Sequence, residues 1–216
     1  MTKIMLDIST KSNKIVFGGA NMIVTTSMLK ERYSDYANQL DKIKRDVDSG
    51  VLIRLTRGLY ETNKNVDPCF LAPAILSPSY LSFDYALSYC GLIPERVVAI
   101  TSASLKVRKN KTFINDFGRY EFSDIPMSAF SEGLTYIEDG EYAAKIASKE
   151  KAICDSLYKW RVVRSIKDLK ELLFEDKRID EEEFSSCDFE LMMRLASLYK
   201  STNLKLLIKL IKKNLR

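Results

Sequence analysis

Between Tyr36 and Glu61 the chain runs through an amphipathic stretch, a glycine and a short basic run: YANQLDKIKRDVDSG, then VLIRLTRGLYE. Ala37, Leu40, Ile43 and Val47 recur at helical spacing. Ser34 and Asp35 are N-cap residue types and Gly50 suits a C′ position, so the pattern predicts a helix over Tyr36 to Ser49. At about 100° per residue those apolar positions form one face; Asn38, Lys42, Arg45 and Ser49 fall opposite, with Gln39 and Asp41 on the flanks. After the glycine, Val51 to Leu55 is β-branched and aliphatic, Arg57-Gly58 supplies a turn, and Leu59 to Thr62 returns. Upstream, Thr25 or Thr26 caps a predicted short helix, Ser27 to Tyr33.

Two helices joined by a short turn and followed by a cationic hairpin are the layout of a winged helix-turn-helix, in which the second helix enters the major groove of double-stranded DNA. Its candidate DNA contacts are Tyr36, Asn38, Gln39, Lys42, Arg45, Arg54 and Arg57. Asn38 and Gln39 lie in the first turn, where an amide can donate to and accept from adenine, whereas Lys42, Arg45, Arg54 and Arg57 suit phosphates. The competing reading is a surface helix and hairpin whose charges are merely solvated. Helix spacing, first-turn amides and a cationic wing agree with one another and favour DNA contact.

The remaining pattern predicts a second domain. Lys64 to Pro68, polar and closed by a proline, is the natural boundary, dividing residues 1–67 from 68–216. Pro78 and Ser79 introduce YLSFDYALSYC, helical in spacing and stopped by Gly91, and Arg96 to Ser104 is β-branched enough for a strand. Lys111 to Ile125 holds two aromatic-rich runs around Asp116, Phe117 and Gly118, a hairpin pattern, and Glu141 to Ala147 is another short strand. Ser148 then caps KEKAICDSLYKW, whose apolar stripe is Ala152, Ile153, Leu157 and Trp160, and three further helical segments follow. In the last, Leu204, Leu207, Ile208, Ile211 and Leu215 oppose Lys205, Lys209, Lys212 and Arg216. A packed terminal helix, a phosphate-contacting surface and membrane association all fit that pattern, in that order. One more helix is expected before Gly18-Gly19, over Lys3 to Thr10 or Ser12 to Val16. The fold class expected is α+β: a winged helix-turn-helix followed by a mixed domain ending in helices.

Composition narrows the function. The 216 residues are 46% hydrophobic and 29% charged, an ordinary globular balance, and no apolar run reaches the roughly 18 to 20 residues of a membrane span. The N-terminus lacks a signal-peptide pattern, so a cytoplasmic protein is expected, with no membrane partner. Cys69, Cys90, Cys154 and Cys187 are scattered and there is no histidine, which excludes a zinc-finger pattern and removes the commonest base and metal ligand together. The net charge of +5 is modest, and a polyanion responds to where charge sits rather than to its total. Acid and lysine scatters at Asp139, Glu141 and Lys145, or at Glu150, Lys151 and Asp155, are possible nuclease residues. Glu150 and Asp155, however, are rotated by about 140° on one helix and do not converge. No enzyme, cofactor or metal is expected.

Three blocks together resemble the AbiEi-type antitoxins, a family of transcriptional regulators. They are LIRLTRGLY at Leu52 to Tyr60, SYLSFDYALSYCGLIPE at Ser79 to Glu95, and IASKEKA at Ile146 to Ala152. The resemblance implies an N-terminal winged-helix domain, a C-terminal antitoxin domain, and a repressor of its own operon in a type IV toxin–antitoxin system. The implied partners are operator DNA, as an inverted repeat, and a nucleotidyltransferase-like toxin opposed in effect without an assumed direct contact. It also implies a binding protein with no catalytic role for the two C-terminal blocks. A stand-alone regulator with a ligand-sensing C-terminal domain and a nucleic-acid-processing enzyme remain as alternatives.

Overall fold

A computed structural model describes residues 23–105 and 107–214. The helix expected before Gly18, and Leu215 and Arg216, expected in the last helix, lie outside them. The described chain is a mixed α+β fold built on two sheets and two hydrophobic cores.

The first part runs β1 (Ile23–Thr25), α1 (Thr26–Arg32), α2 (Gln39–Asp48), β2 (Ile53–Thr56) and β3 (Leu59–Glu61), with antiparallel sheet order β1-β3-β2. Side chains alternate across a strand, so this small sheet faces two ways. Val24 and its cross-strand partner Tyr60 point with Leu52 into a core closed by Leu29, Tyr33 and Ile43. Ile23, Leu55 and Leu59 belong instead to the larger core behind the sheet.

That larger core fills a six-stranded sheet of order β6-β7-β5-β4-β9-β8 and the helices packed on it. The chain enters through a 3₁₀ turn, Pro68–Leu71, capped by Asp67, and a short helix α3, Ala72–Ile75. It continues through β4 (Ser79–Leu81), α4 (Phe83–Tyr89), β5 (Ile100–Ser104), β6 (Asn110–Asn115), β7 (Gly118–Asp124), β8 (Leu134–Asp139) and β9 (Tyr142–Ala147). Next come α5 (Lys149–Lys159), α6 (Ile166–Lys170) running into a π-helical turn at Glu171–Asp176, α7 (Glu181–Ser185), α8 (Phe189–Ser197) and α9 (Thr202–Asn214). Ser148 Oγ accepts from the Lys151 amide at 3.3 Å, capping α5 where the pattern places the cap. The β6–β7 hairpin also falls where expected.

Two expectations change, and one strand is added. Ser79–Leu81 is a strand rather than the start of a helix, because it fills the slot between β5 and β9, with Tyr80 and Leu81 buried. The chain turns from β4 into α4 at Phe83, which takes φ +55° with its ring buried; Thr101 Oγ1, across the sheet, accepts from the Tyr85 amide at 2.9 Å and does the capping. Strand β8, in a segment to which the pattern assigns no element, pairs along all of β9. The strand expected over Arg96 to Ser104 is confined to its second half. No helix among the described residues is long and apolar enough to cross a membrane.

Candidate nucleic-acid interface

Thr25 Oγ1 accepts from the Met28 amide at 3.3 Å and starts α1. The helix ends at Tyr33, whose hydroxyl donates to Asp46 Oδ2 at 2.7 Å, while Lys42 Nζ donates to Asp46 Oδ1 at 2.5 Å. The same ammonium lies 5.4 Å from the Tyr33 ring centroid and 5.6 Å from that of Tyr36, so a carboxylate and two rings enclose it. Burial, and then the bond to Asp46, pushes the Tyr33 hydroxyl well above the ordinary tyrosine range and keeps it a donor. Two candidate contacts, Tyr36 and Lys42, therefore build the clamp that fixes α2 against α1.

This clamp rotates α2 away from the expected face. Ile43, Asp46 and Val47 point inward, whereas Leu40 is 55% exposed and Ala37 is exposed too. The outward face is Leu40, Asp41, Lys44, Arg45 and Asp48, so its cations are Lys44 and Arg45 rather than Lys42 and Arg45. The helix also starts later than Tyr36. Asn38 is its N-cap: Oδ1 accepts from the Asp41 amide at 3.3 Å and Nδ2 donates to Asp41 Oδ2 at 2.7 Å. Both ends of the Asn38 amide are engaged within the first turn. Gln39 sits half-buried beside it.

The hairpin keeps its expected form. Gly58 takes φ +81° in the Arg57-Gly58 turn, and its carbonyl accepts from the Thr26 amide at 2.9 Å, tying the tip to the start of α1. Arg54, opposite Tyr60, rests its guanidinium 5.8 Å from that ring; Arg54 and Arg57 are both exposed. No acidic residue occurs between Val51 and Tyr60, so the hairpin is cationic, while the outward face of α2 alternates in sign. At the root of the hairpin, buried Glu61 accepts through Oε1 from the Thr62 and Asn63 amides, at 2.7 and 2.8 Å, and from the Tyr142 hydroxyl at 3.0 Å. Asn115 Nδ2 donates to the Leu55 carbonyl at 3.1 Å, a second tie between the two parts.

A second polar cluster, inside the larger body, is centred on Lys151 and Asp155 of the second acid and lysine scatter, and its tyrosine and serine members escaped sequence reasoning. Lys151 and Asp155, one helical turn apart on α5, form an ion pair at 2.9 Å with both side chains fully buried. Asp155 also accepts from Tyr80 at 2.8 Å, Ser82 at 2.7 Å and Tyr199 at 2.5 Å, and Lys151 donates to the Tyr199 oxygen. Burial and the carboxylate push both tyrosine hydroxyls far above their ordinary range. The one signal in the sequence was the i, i+4 spacing of a lysine and an aspartate. Sealed from solvent, the cluster joins α5 to β4 and to the turn before α9. Glu150 points elsewhere, accepting from Ser148 Oγ and the Asp188 amide, so it does not converge with Asp155. Asp139 and Lys145 lie three ladder positions apart on opposite faces of the β8–β9 hairpin. Among the described residues no cluster of three or more acidic or cysteine side chains is placed to hold a metal.

No family model matches the chain, and no curated protein matches it.

Proposed function

We propose that this protein is a DNA-binding transcriptional repressor and antitoxin of a type IV, AbiE-like system, which represses its own operon and opposes a nucleotidyltransferase-like toxin. The observation that carries the DNA-binding half is the order of the first part. Strand, helix, helix and hairpin, with the first strand paired to the last, is the order in which a winged helix-turn-helix is built. Lys44 and Arg45 on the outward face of α2 and Arg54 and Arg57 on the hairpin are exposed on that frame, as phosphate contacts require. The antitoxin half rests on the resemblance of the three sequence blocks.

In this reading the protein is a cytoplasmic binding protein and not an enzyme. Residues 1–67 bind the duplex, 68–216 form the antitoxin domain, and two hairpins engage the halves of an inverted repeat. Toxin and antitoxin are linked by effect rather than by an assumed complex. Footprinting on the region upstream of its own gene tests the DNA-binding half: protection over a defined site, falling steeply with salt, is expected. Protection no better than on unrelated duplex at low salt overturns it. Co-expression with the product of an adjacent nucleotidyltransferase-like gene tests the rest, and toxicity that is undiminished overturns the antitoxin assignment.

A further inference from the structure

The six-stranded sheet is split at one place. Strand β4 pairs along its whole length with β5, but with β9 only at Leu81↔Ile146. Continuing that parallel register would set Tyr80 beside Lys145 and Ser79 beside Ala144. The strands part instead, and those four residues line a cleft of about 370 Å³, within the size range of small-molecule sites. Beyond Leu81↔Ile146 the two strands share no registered pair. Ser79 Oγ, buried in this lining, has no hydrogen-bond partner.

The walls set the chemistry of an occupant. Phe130, half-buried, forms one side and offers aromatic surface, backed by the buried ring of Tyr80 with centroids 5.2 Å apart. Across the mouth stands Tyr136, 65% exposed, with the Lys145 ammonium 5.6 Å from its centroid. Lys145 makes no ion pair among the described residues, and no carboxylate lines the cleft. The rings of Phe130 and Tyr136, the unpartnered Ser79 hydroxyl and an ammonium without an ion pair complement a flat apolar body bearing a negative charge.

We infer that the cleft between β4 and β9 is a binding site for a small planar organic anion, an aromatic carboxylate in the simplest case. The inference is independent of the antitoxin reading. The test is amide-resolved NMR of the full chain titrated with 2-naphthoate, with neutral 2-naphthamide and with 2-naphthylmethylammonium. Saturable shifts are expected at Ser79, Tyr80 and Ala143 to Lys145, strongest for the carboxylate and weakest for the cation. Lys145→Met is expected to weaken naphthoate about fivefold and leave naphthamide unchanged. Ala143→Phe, at an exposed position in the lining, fills the mouth and is expected to abolish all three. Four results each overturn the site: no saturable shift in the cleft, shifts located elsewhere, equal affinity for the cation, or naphthoate binding undiminished by Ala143→Phe.

Discussion

Replacing Asp155 with alanine removes the acceptor on which the buried cluster of the larger body converges. Four donors lose their partner at once: the Lys151 ammonium and the hydroxyls of Tyr80, Ser82 and Tyr199. Only the Tyr199 oxygen remains for Lys151, whose side chain is fully buried. Breaking a buried pair from one side costs about 3–5 kcal/mol, because the surviving charge is left uncompensated. Adding Lys151→Met removes that charge. The double variant is therefore expected to be more stable than Asp155→Ala alone by about 1–2 kcal/mol, although it carries one more substitution. Urea unfolding followed by circular dichroism and by the fluorescence of Trp160 measures this, since the single tryptophan of the chain ends α5 itself. The comparison is of midpoints at constant slope. A cost below about 1 kcal/mol for Asp155→Ala, or a further loss on adding Lys151→Met, refutes the reasoning that the cluster is dry and mutually dependent.

Other consequences are as direct. Asn38→Ala is expected to cost about 1 kcal/mol of stability through the lost cap while Asn38→Ser keeps both the cap and operator affinity; operator binding that falls by about 1–3 kcal/mol in a stable Asn38→Ser protein restores Asn38 as a base reader. Arg57→Ala is expected to weaken operator and random duplex alike and to lower the salt slope by about 1, measured by fluorescence anisotropy across a salt series. Burial pushes the thiols of Cys69 and Cys187 up to about 12 and raises those of Cys90 and Cys154, and Cys90 is the least enclosed of the four. A thiol reagent at pH 7.5 should therefore modify Cys90 first in the native chain and the rest only on unfolding, as read by peptide mass spectrometry. Residues 68–216 are expected to fold alone but to melt lower than the full chain, because Leu55 and Val66 leave the larger core; circular dichroism without a cooperative transition sinks the proposed boundary.

Local chemistry was legible from the residues themselves. Thr25 and Ser148 cap the helices the pattern assigns them, and the turns at Arg57-Gly58 and at Phe117-Gly118 fall where glycine permits the backbone. Each of these is decided within four or five residues, by a side chain reaching its own backbone or by a dihedral only glycine takes easily. What tertiary structure decided was direction and partnership. Helix α2 carries enough mixed residues to present either of two faces, and the choice fell to Asp46, which draws in Lys42 and Tyr33 and leaves Leu40 outside. Ser79–Leu81 has helical spacing, yet an open slot between β5 and β9 offered it a full ladder on one side and burial of Tyr80 and Leu81, which outweighs a weak local preference. Lys151 and Asp155 announce a pair by spacing alone. That the pair is sealed, and completed by Tyr80, Ser82 and Tyr199 from positions 44 to 75 residues away, depends on long-range packing that no local pattern encodes.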